Sequence, residues 1–277
     1  MTEDTNSAFE RTNDFEAMTR YEIEDHLEEN GLVIIPTGSV EQHGGHLPVG
    51  TDAYAVREIA ERVATQLDGL LVPFGSLGVT PFHADMAGAI HLKSETFMAL
   101  FRDVCESLIQ HGADKVVVVN WHEGNTSSIE TAAGRLQEEF PDVRFVISQA
   151  SYAAQELYED YHDLTHGGPL EVLPVLARRP DTVHLERATD AADEEHASQM
   201  DDLRRNRRAY PIIPDVRIMY ESGWYGDLEG ADDAELAAEF VERVAAACAD
   251  DISEALGILE DVDYRVGGDA SSASEVE

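Results

Sequence analysis

Four side chains of the types that bind transition metals occur within one twelve-residue segment, EQHGGHLPVGTD. They are Glu41, His43, His46 and Asp52, and the segment follows an apolar run at residues 32–35. Such a run is typical of a buried strand. Imidazole and carboxylate groups together suit zinc, manganese or iron(II). The spacing therefore predicts a metal site near the point where a buried strand ends.

Two further polar clusters strengthen this prediction. The segment NWHEGN contains His122 and Glu123 directly after a run of four valines, and THGGPLE contains His166 and Glu171 where a helical segment opens. In open α/β sheets, sites form beyond the carboxyl ends of the strands, so the clusters can converge on one point. A carboxylate such as Asp52 could bridge two ions, which would acidify a water for attack on a carbonyl carbon.

Several of these histidines also have a structural alternative. Either His43 or His122 alone would more often be a hydrogen-bonded structural histidine, and His46 is better explained as a support for a ligand than as a ligand. The sequence offers no partner motif for His83, and the helix dipole accounts for His111 near a helix end. Pattern alone therefore supports a metallohydrolase.

Short apolar runs alternate with amphipathic segments along the chain. The runs predict strands buried on both faces of a parallel sheet, at residues 32–35, 70–74, 116–119 and 143–147. Apolar residues at helical spacing predict helices at about 56–67, from an N-cap at Ser94 to near Gly112, from Asn125 to Phe140, and at about 233–256. This alternation predicts an α/β sandwich with helices on both faces of the sheet.

The remaining segments carry weaker signals. Residues 186–210 are acidic and arginine-rich with little periodicity, which favours an exposed insertion or loop, and Glu58 and Glu61 are expected on a solvated helix face. No break in composition divides the chain, so residues 1–266 are predicted to form a single domain. Residues 267–277 are small, polar and acidic, which predicts a disordered tail.

The formal net charge of −37 excludes two classes of partner, nucleic acid and anionic membrane surfaces, because both require cations on the protein. The sequence has no apolar run of the roughly 20 residues that span a membrane and no signal peptide, so we expect a cytoplasmic protein. Cys105 and Cys248 lie in apolar helical patterns and are expected to be reduced core residues.

The acidic residues are spread along the whole chain, and only Lys93 and Lys115 are lysines. This charge pattern resembles that of proteins from salt-loving archaea, in which a high-salt cytoplasm screens the repulsion between acidic groups.

Five motifs, in this order along the chain, resemble those of the creatininase (creatinine amidohydrolase) family. They are GSVEQHGGHLPVGTD at 38–52, GAIHL at 88–92, NWHEGN at 120–125, HGGPLE at 166–171 and GWYGD at 223–227. The resemblance covers about residues 30–255, and its first motif is long and specific.

The resemblance implies a three-layer α/β/α sandwich with a mostly parallel sheet, two divalent ions per subunit and hydrolysis of a non-peptide C–N bond in a small-molecule amide. It also implies a homo-oligomer, commonly a hexamer. Carried over by motif, Glu41, Asp52 and His122 would hold one ion, while His43 and Asp52 would hold the other. His166 matches the residue thought to shuttle protons.

One departure concerns the second ion. The creatinine-hydrolysing enzymes resemble NGHYEN at the second cluster, and their glutamate two places after the histidine binds the second metal. Here that place is Gly124, the glutamate is one residue earlier at Glu123, and Trp121 replaces a glycine. Glu171 could then complete the second site, with Glu123 as the alternative metal ligand or supporting residue. The departure weakens creatinine itself as the substrate.

The substrate therefore stays open between creatinine or a similar cyclic amide, the formamide of a ribosylaminopyrimidine phosphate in archaeal flavin and deazaflavin synthesis, and a short modified peptide. A phosphate would need cations, for which Arg57, Arg178 and Arg179 are candidates. A non-catalytic assembly subunit would be expected to have lost ligand residues, and this chain retains them.

The charge pattern predicts that stability depends on salt. In dilute buffer the acidic groups repel one another over long distances, since the Debye length is about 30 Å at 0.01 M salt. We expect the melting temperature, followed by circular dichroism, to rise steeply from dilute buffer to molar potassium chloride. A flat or falling curve would contradict the halophilic interpretation.

Overall fold

A sheet of four strands forms the centre of the computed structural model, which describes residues 13–159, 165–189, 191, 194–205, 208–260 and 262. The strands are β1 (Leu32–Thr37), β2 (Leu70–Leu71), β3 (Lys115–Asn120) and β4 (Arg144–Gln149). Their order is β2-β1-β3-β4, and each neighbouring pair is parallel. This confirms the predicted parallel sheet.

Helices flank the sheet on both faces. The helices, in chain order, are α1 (Arg20–Glu29), α2 (Thr51–Leu67), α3 (Ser94–Gln110), α4 (Thr126–Glu139), α5 (Ala150–Leu157), α6 (Pro169–Arg178), α7 (Glu194–Arg205) and α8 (Ala234–Glu260). Among the described residues, no helix combines the length and the apolar character needed to cross a membrane.

The alternation of side chains along the strands divides the core into two layers. Leu32 and Ile34 of β1 pack in one cluster with α2, α5, α6 and α8. Val33 and Ile35 point to the opposite face and pack in a second cluster with α1, α3 and α4. Because every residue of β1 is buried, the strand appears in the sequence as a continuous apolar run. The predicted three-layer sandwich is confirmed.

Some predicted boundaries were wrong. The N-cap of α3 is Lys93, whose side chain makes no capping bond, while Ser94 is the first helical residue. The strand predicted at 70–74 is reduced to Leu70–Leu71, because Pro73 has no backbone N–H to continue the ladder. Helix α8 extends to Glu260, beyond its predicted end.

The segment predicted at 186–210 as an exposed insertion or loop contains a helix, α7, at Glu194–Arg205, so the loop prediction was wrong there. This helix buries little, so it has no apolar stripe for periodicity to detect. Ala197 is buried in a small cluster that Met200 also contacts. Several of its other residues, such as Glu195, Gln199 and Leu203, have good helix propensity. The predicted tail at 267–277 lies outside the described residues, and the single-domain assignment stays a prediction.

Glu58 was expected to be solvated but is only 8% exposed. It accepts hydrogen bonds from Arg62 on its own helix and from Arg178 on α6, each at 2.8 Å. Arg178 also contacts Glu61 at 3.0 Å. These pairs attach α6 to α2 and compensate for the burial of the Glu58 carboxylate.

The carboxyl ends of β1 and β3 lie side by side and bring the polar clusters together. Thr37 at the end of β1 donates to the side chain of Asn120 at the end of β3, at 2.9 Å. Asn120 in turn donates to the carbonyl of His122 at 2.8 Å, and Asn125 donates to the carbonyl of Gly38 at 2.9 Å. The two loops are thereby fixed against each other.

Candidate metal centre

The carboxylates of Asp52 and Glu41 are held by neighbouring hydroxyl groups. Asp52 lies in the first turn of α2, where the helix dipole favours a negative charge, and the Ser39 hydroxyl donates to its Oδ2 at 2.8 Å. The Thr80 hydroxyl makes a short hydrogen bond to Glu41 Oε2. Both carboxylates are 2% exposed, so they need nearby positive charge to remain ionised.

The first group of potential ligands consists of Glu41, Asp52 and His122, whose ligand atoms lie within 4.8 Å of one another. His122 Nδ1 is 3.0 Å from Asp52 Oδ2 and 3.5 Å from Glu41 Oε1. The other ring nitrogen, Nε2, lies 3.1 Å from the carbonyl oxygen of Val79 and donates to it. In the neutral ring, this bond leaves the lone pair on Nδ1, facing the carboxylates.

The second group consists of His43, Asp52 and Glu171. His43 Nε2 is 3.2 Å from Asp52 Oδ1 and 3.5 Å from Glu171 Oε2, while Nδ1 donates to the carbonyl of Glu41 at 3.2 Å. Glu171 lies in the first turn of α6, and its Oε2 accepts the backbone N–H of Gly167 at 2.6 Å. Asp52 is therefore common to both groups.

The electrostatics show that the centre attracts positive charge. Burial lowers the pKa of His43, but the carboxylates of Glu171 and Asp52 outweigh it and raise the pKa to about 10. His122 responds in the same way, with burial opposed by Glu41 and Asp52, and its pKa rises to about 9. Burial raises the pKa of Glu171 to about 7 despite the nearby His43. Metal-free protein thus holds protons that a divalent cation would displace.

The residues fit a pair of divalent cations. Three carboxylates and two imidazoles are the donor set that zinc, manganese or iron(II) accepts. The buried His43 Nε2 also makes no hydrogen bond, although two carboxylates lie within 3.5 Å of it. A buried ring nitrogen without a hydrogen-bond partner is costly, and a cation shared with the two carboxylates would satisfy it.

The other predicted site residues lie around this centre. His166 forms a third group with Glu41 and His43, and its ring stacks on that of His43 with centroids 4.3 Å apart. His46 is buried, and its Nε2 donates to the carbonyl of Gly167 at 2.7 Å, supporting the loop before Glu171. It belongs to none of the three groups found among the described residues, in keeping with a supporting role.

Glu123 is likewise outside those groups, in a short 3-10 turn that lines the neighbouring cavity. A Cβ atom at Gly124 would overlap the carbonyl oxygen of Val79 and the ring of His122. A side chain at the position where the resemblance implies a ligand glutamate would therefore require the Val79 backbone or His122 to shift.

Sequence reasoning missed two residues at this centre, Gln42 and His83. His83 is 5% exposed, its Nε2 lies 3.7 Å from Glu41 Oε1, and its ring stacks on His166 with centroids 4.5 Å apart. Gln42 contacts both imidazoles. The spacing of residues in the sequence could not indicate the position of His83, because His83 lies in a loop separate from the three polar clusters. The neighbouring GAIHL motif was the one signal that this region is near the centre.

The centre opens onto a cavity of about 440 Å³. Its described lining combines carboxylates and histidines of the centre with aromatic and serine side chains, among them Phe82, Trp121, Ser128, Ser151 and Tyr220. No Arg or Lys occurs in that described lining. Arg57, Arg178 and Arg179 instead pair with carboxylates on α2 or with Asp14 and Asp181.

Comparisons with known proteins agree with this geometry. The family model of creatininase, described as creatinine amidohydrolase, matches residues 16–252. A 3-dehydro-scyllo-inosose hydrolase of Thermotoga maritima is 28% identical over 64% of this chain and 59% of its own length. A mycofactocin precursor peptide peptidase of Mycobacterium ulcerans is 29% identical over 62% of this chain and 68% of its own. The creatinine amidohydrolase of Pseudomonas putida is 27% identical over 57% of this chain and 68% of its own.

Solved structures show the same fold. A crystal structure of creatinine amidohydrolase covers 88% of this chain and 98% of its own, with a TM-score of 0.73 at 22% identity. A manganese form of creatininase gives 0.72 at 22% identity, and a zinc–zinc form of a creatininase variant gives 0.71 at 23% identity.

The geometry predicts that Glu171 rather than Glu123 holds the second ion. Glu171→Gln replaces a charged oxygen beside His43 and Asp52 with an amide. We expect it to lower affinity for the second ion by about 100-fold or more and activity by orders of magnitude, as measured by metal titration and amide hydrolysis. Glu123→Gln is the matched control and should be much milder. The reverse result, with only Glu123→Gln emptying the second site, would contradict the assignment.

Proposed function

This chain belongs to the creatininase family, and from that membership and the geometry of its centre we propose that it is a two-metal amidohydrolase acting on a small non-peptide amide. Its products would be a carboxylic acid and an amine. A single observation carries the proposal: Asp52 is shared by two groups of ligand atoms, one with Glu41 and His122 and one with His43 and Glu171.

Two divalent cations bound by these residues would lower the pKa of a water and polarise the substrate carbonyl. The chain supplies the proton transfer through His166. Burial, together with the neighbouring imidazoles of His43 and His83, lowers the pKa of His166 well below its ordinary value, so the ring is neutral and can accept a proton. In hydrolysis the water loses a proton as its oxygen bonds to carbon. His166 would return that proton to the departing nitrogen as the C–N bond breaks.

The cavity limits the substrate class. Its size suits a small molecule. The crowding at Gly124 disfavours the glutamate that the resemblance implies for the creatinine-hydrolysing enzymes, so the ligand set differs from theirs. We therefore propose a creatinine-like cyclic amide or a formamide in preference to creatinine itself. The phosphorylated formamide is the weaker alternative, because its three candidate arginines are paired elsewhere.

The proposal extends to the setting of the enzyme. A net charge of −37 supports a salt-adapted protein of a halophilic archaeal cytoplasm, and family membership supports a homo-oligomer such as a hexamer. A non-catalytic assembly subunit is disfavoured, because the predicted ligands Glu41, His43, Asp52 and His122 are present and close together.

Metal removal tests the proposed function. Exhaustive chelation should abolish hydrolysis of an amide panel that contains creatinine, other cyclic amides and formamides with and without a phosphate. Zinc, manganese or iron(II) should restore it, and metal analysis should find two ions per chain. His43→Ala should lose one ion, whereas Asp52→Ala should impair both sites because its carboxylate serves each.

His111→Ala is the control for these variants. His111 is an exposed imidazole at the end of α3, remote from the centre in the fold, and its substitution should leave two ions and full activity. Full activity in protein proved free of metal would contradict the proposal.

A further inference from the structure

The side-chain amide of Gln42 has a single orientation, which two backbone groups dictate. Its Oε1 lies 3.1 Å from the backbone N–H of Gly44, which can only donate. Its Nε2 lies 2.8 Å from the carbonyl oxygen of Gly223, which can only accept. Gly223 has a φ of 81°, and a Cβ there would overlap the Gln42 amide, so the close approach requires glycine.

This orientation determines which nitrogen of His83 carries the proton. One hydrogen of Gln42 Nε2 is directed to Gly223, and the other is directed to His83 Nδ1 at 3.0 Å. His83 Nδ1 must therefore accept. The neutral ring carries its hydrogen on Nε2, the nitrogen 3.7 Å from Glu41 Oε1.

The main chain of Gln42 determines the tautomer of His166 as well. The carbonyl oxygen of Gln42 lies 2.7 Å from His166 Nε2 and can only accept, so this nitrogen is protonated and Nδ1 keeps the lone pair. Gln42 Nε2 also lies 3.2 Å from His166 Nε2, but both of its hydrogens have nearer acceptors. One residue thus sets the tautomers of two stacked imidazoles.

We infer that His83 donates a hydrogen bond to the substrate through Nε2–H, and that Gln42 is the positioning residue that keeps the hydrogen on this nitrogen. His83 lines the cavity, and its Nε2–H lies beside Glu41, a proposed ligand. A substrate oxygen held next to Glu41 would lie within reach of this N–H. The inference rests on the proposed function and adds a role for His83, which lies outside the quoted motifs, and for Gln42, which lies inside the first one.

The two imidazoles would then have opposite roles. A neutral imidazole is a poor proton donor, because losing its proton leaves an imidazolate, but its N–H can stabilise negative charge that develops on an oxygen. His83 would therefore donate a hydrogen bond to the carbonyl oxygen without transferring its proton. His166, with its lone pair on Nδ1, would accept and return the proton of the reaction.

Nitrogen NMR of the metal-free, ¹⁵N-histidine-labelled protein tests the tautomers without any substrate. We expect His83 and His166 each to show a protonated Nε2 and an unprotonated Nδ1, with signals assigned from variants that lack each histidine. Gln42→Met should make His83 lose its single tautomer, while Gln137→Met on the far end of α4 should not. A proton on His83 Nδ1 in the unsubstituted protein would overturn the inference.

Kinetics of the metal-loaded enzyme, on any amide of the panel that it hydrolyses, test the donor role. His83→Ala should lower kcat by about 100-fold with a smaller change in KM. His83→Gln places an amide N–H near the position of Nε2 and should recover at least about tenfold of the loss. Equal losses in the two variants would refute the donor role. Failure of the whole amide panel would count against the proposed function, while the tautomers would still be decided by NMR.

Discussion

The burial of Asp52 between two histidines is the interaction on which the centre depends. Burial would raise the pKa of this carboxyl group, but His43 and His122 hold the pKa well below its usual range. An isolated buried carboxylate costs several kcal/mol. Here the Ser39 hydroxyl, the first turn of α2 and two imidazoles together offset the cost of burying the Asp52 carboxylate. Because each oxygen of Asp52 faces a different histidine, one residue joins two groups of potential ligand atoms.

The sheet makes that arrangement possible. Strands β1 and β3 are neighbours and parallel, and Thr37 is in register with Asn120 at their carboxyl ends. The loop after β1 carries Glu41 and His43, and the loop after β3 carries His122, so pairing of the strands alone brings these side chains together. The sequence could predict this much, since continuous apolar runs followed by polar clusters indicate buried parallel strands with a site at one edge.

What the sequence could not predict depends on tertiary contact. His83 approaches Glu41 through a fold in which their loops, far apart in the chain, meet beside the cavity. Gln42 lay within the quoted motif, yet its role depends on Gly223, 181 residues away. Helix α7 was missed because it buries few side chains. Periodicity reports burial, so elements and residues that act through polar contacts leave little trace in it.

Basic residues are scarce in this chain, and one of them joins the two helices that reach the centre. The chain has 19 Lys and Arg against 56 Asp and Glu, and within the described residues Arg178 is used to join α6 to Glu58 and Glu61 on α2. These are the helices that carry Glu171 and Asp52 into the centre. A planar guanidinium can bind two carboxylates in fixed geometry, which an ammonium group cannot. Salt screens partly buried ion pairs much less than exposed ones. The Arg178 pairs can therefore hold α6 against α2, and so keep Glu171 near Asp52, at ionic strengths that weaken the surface ion pairs.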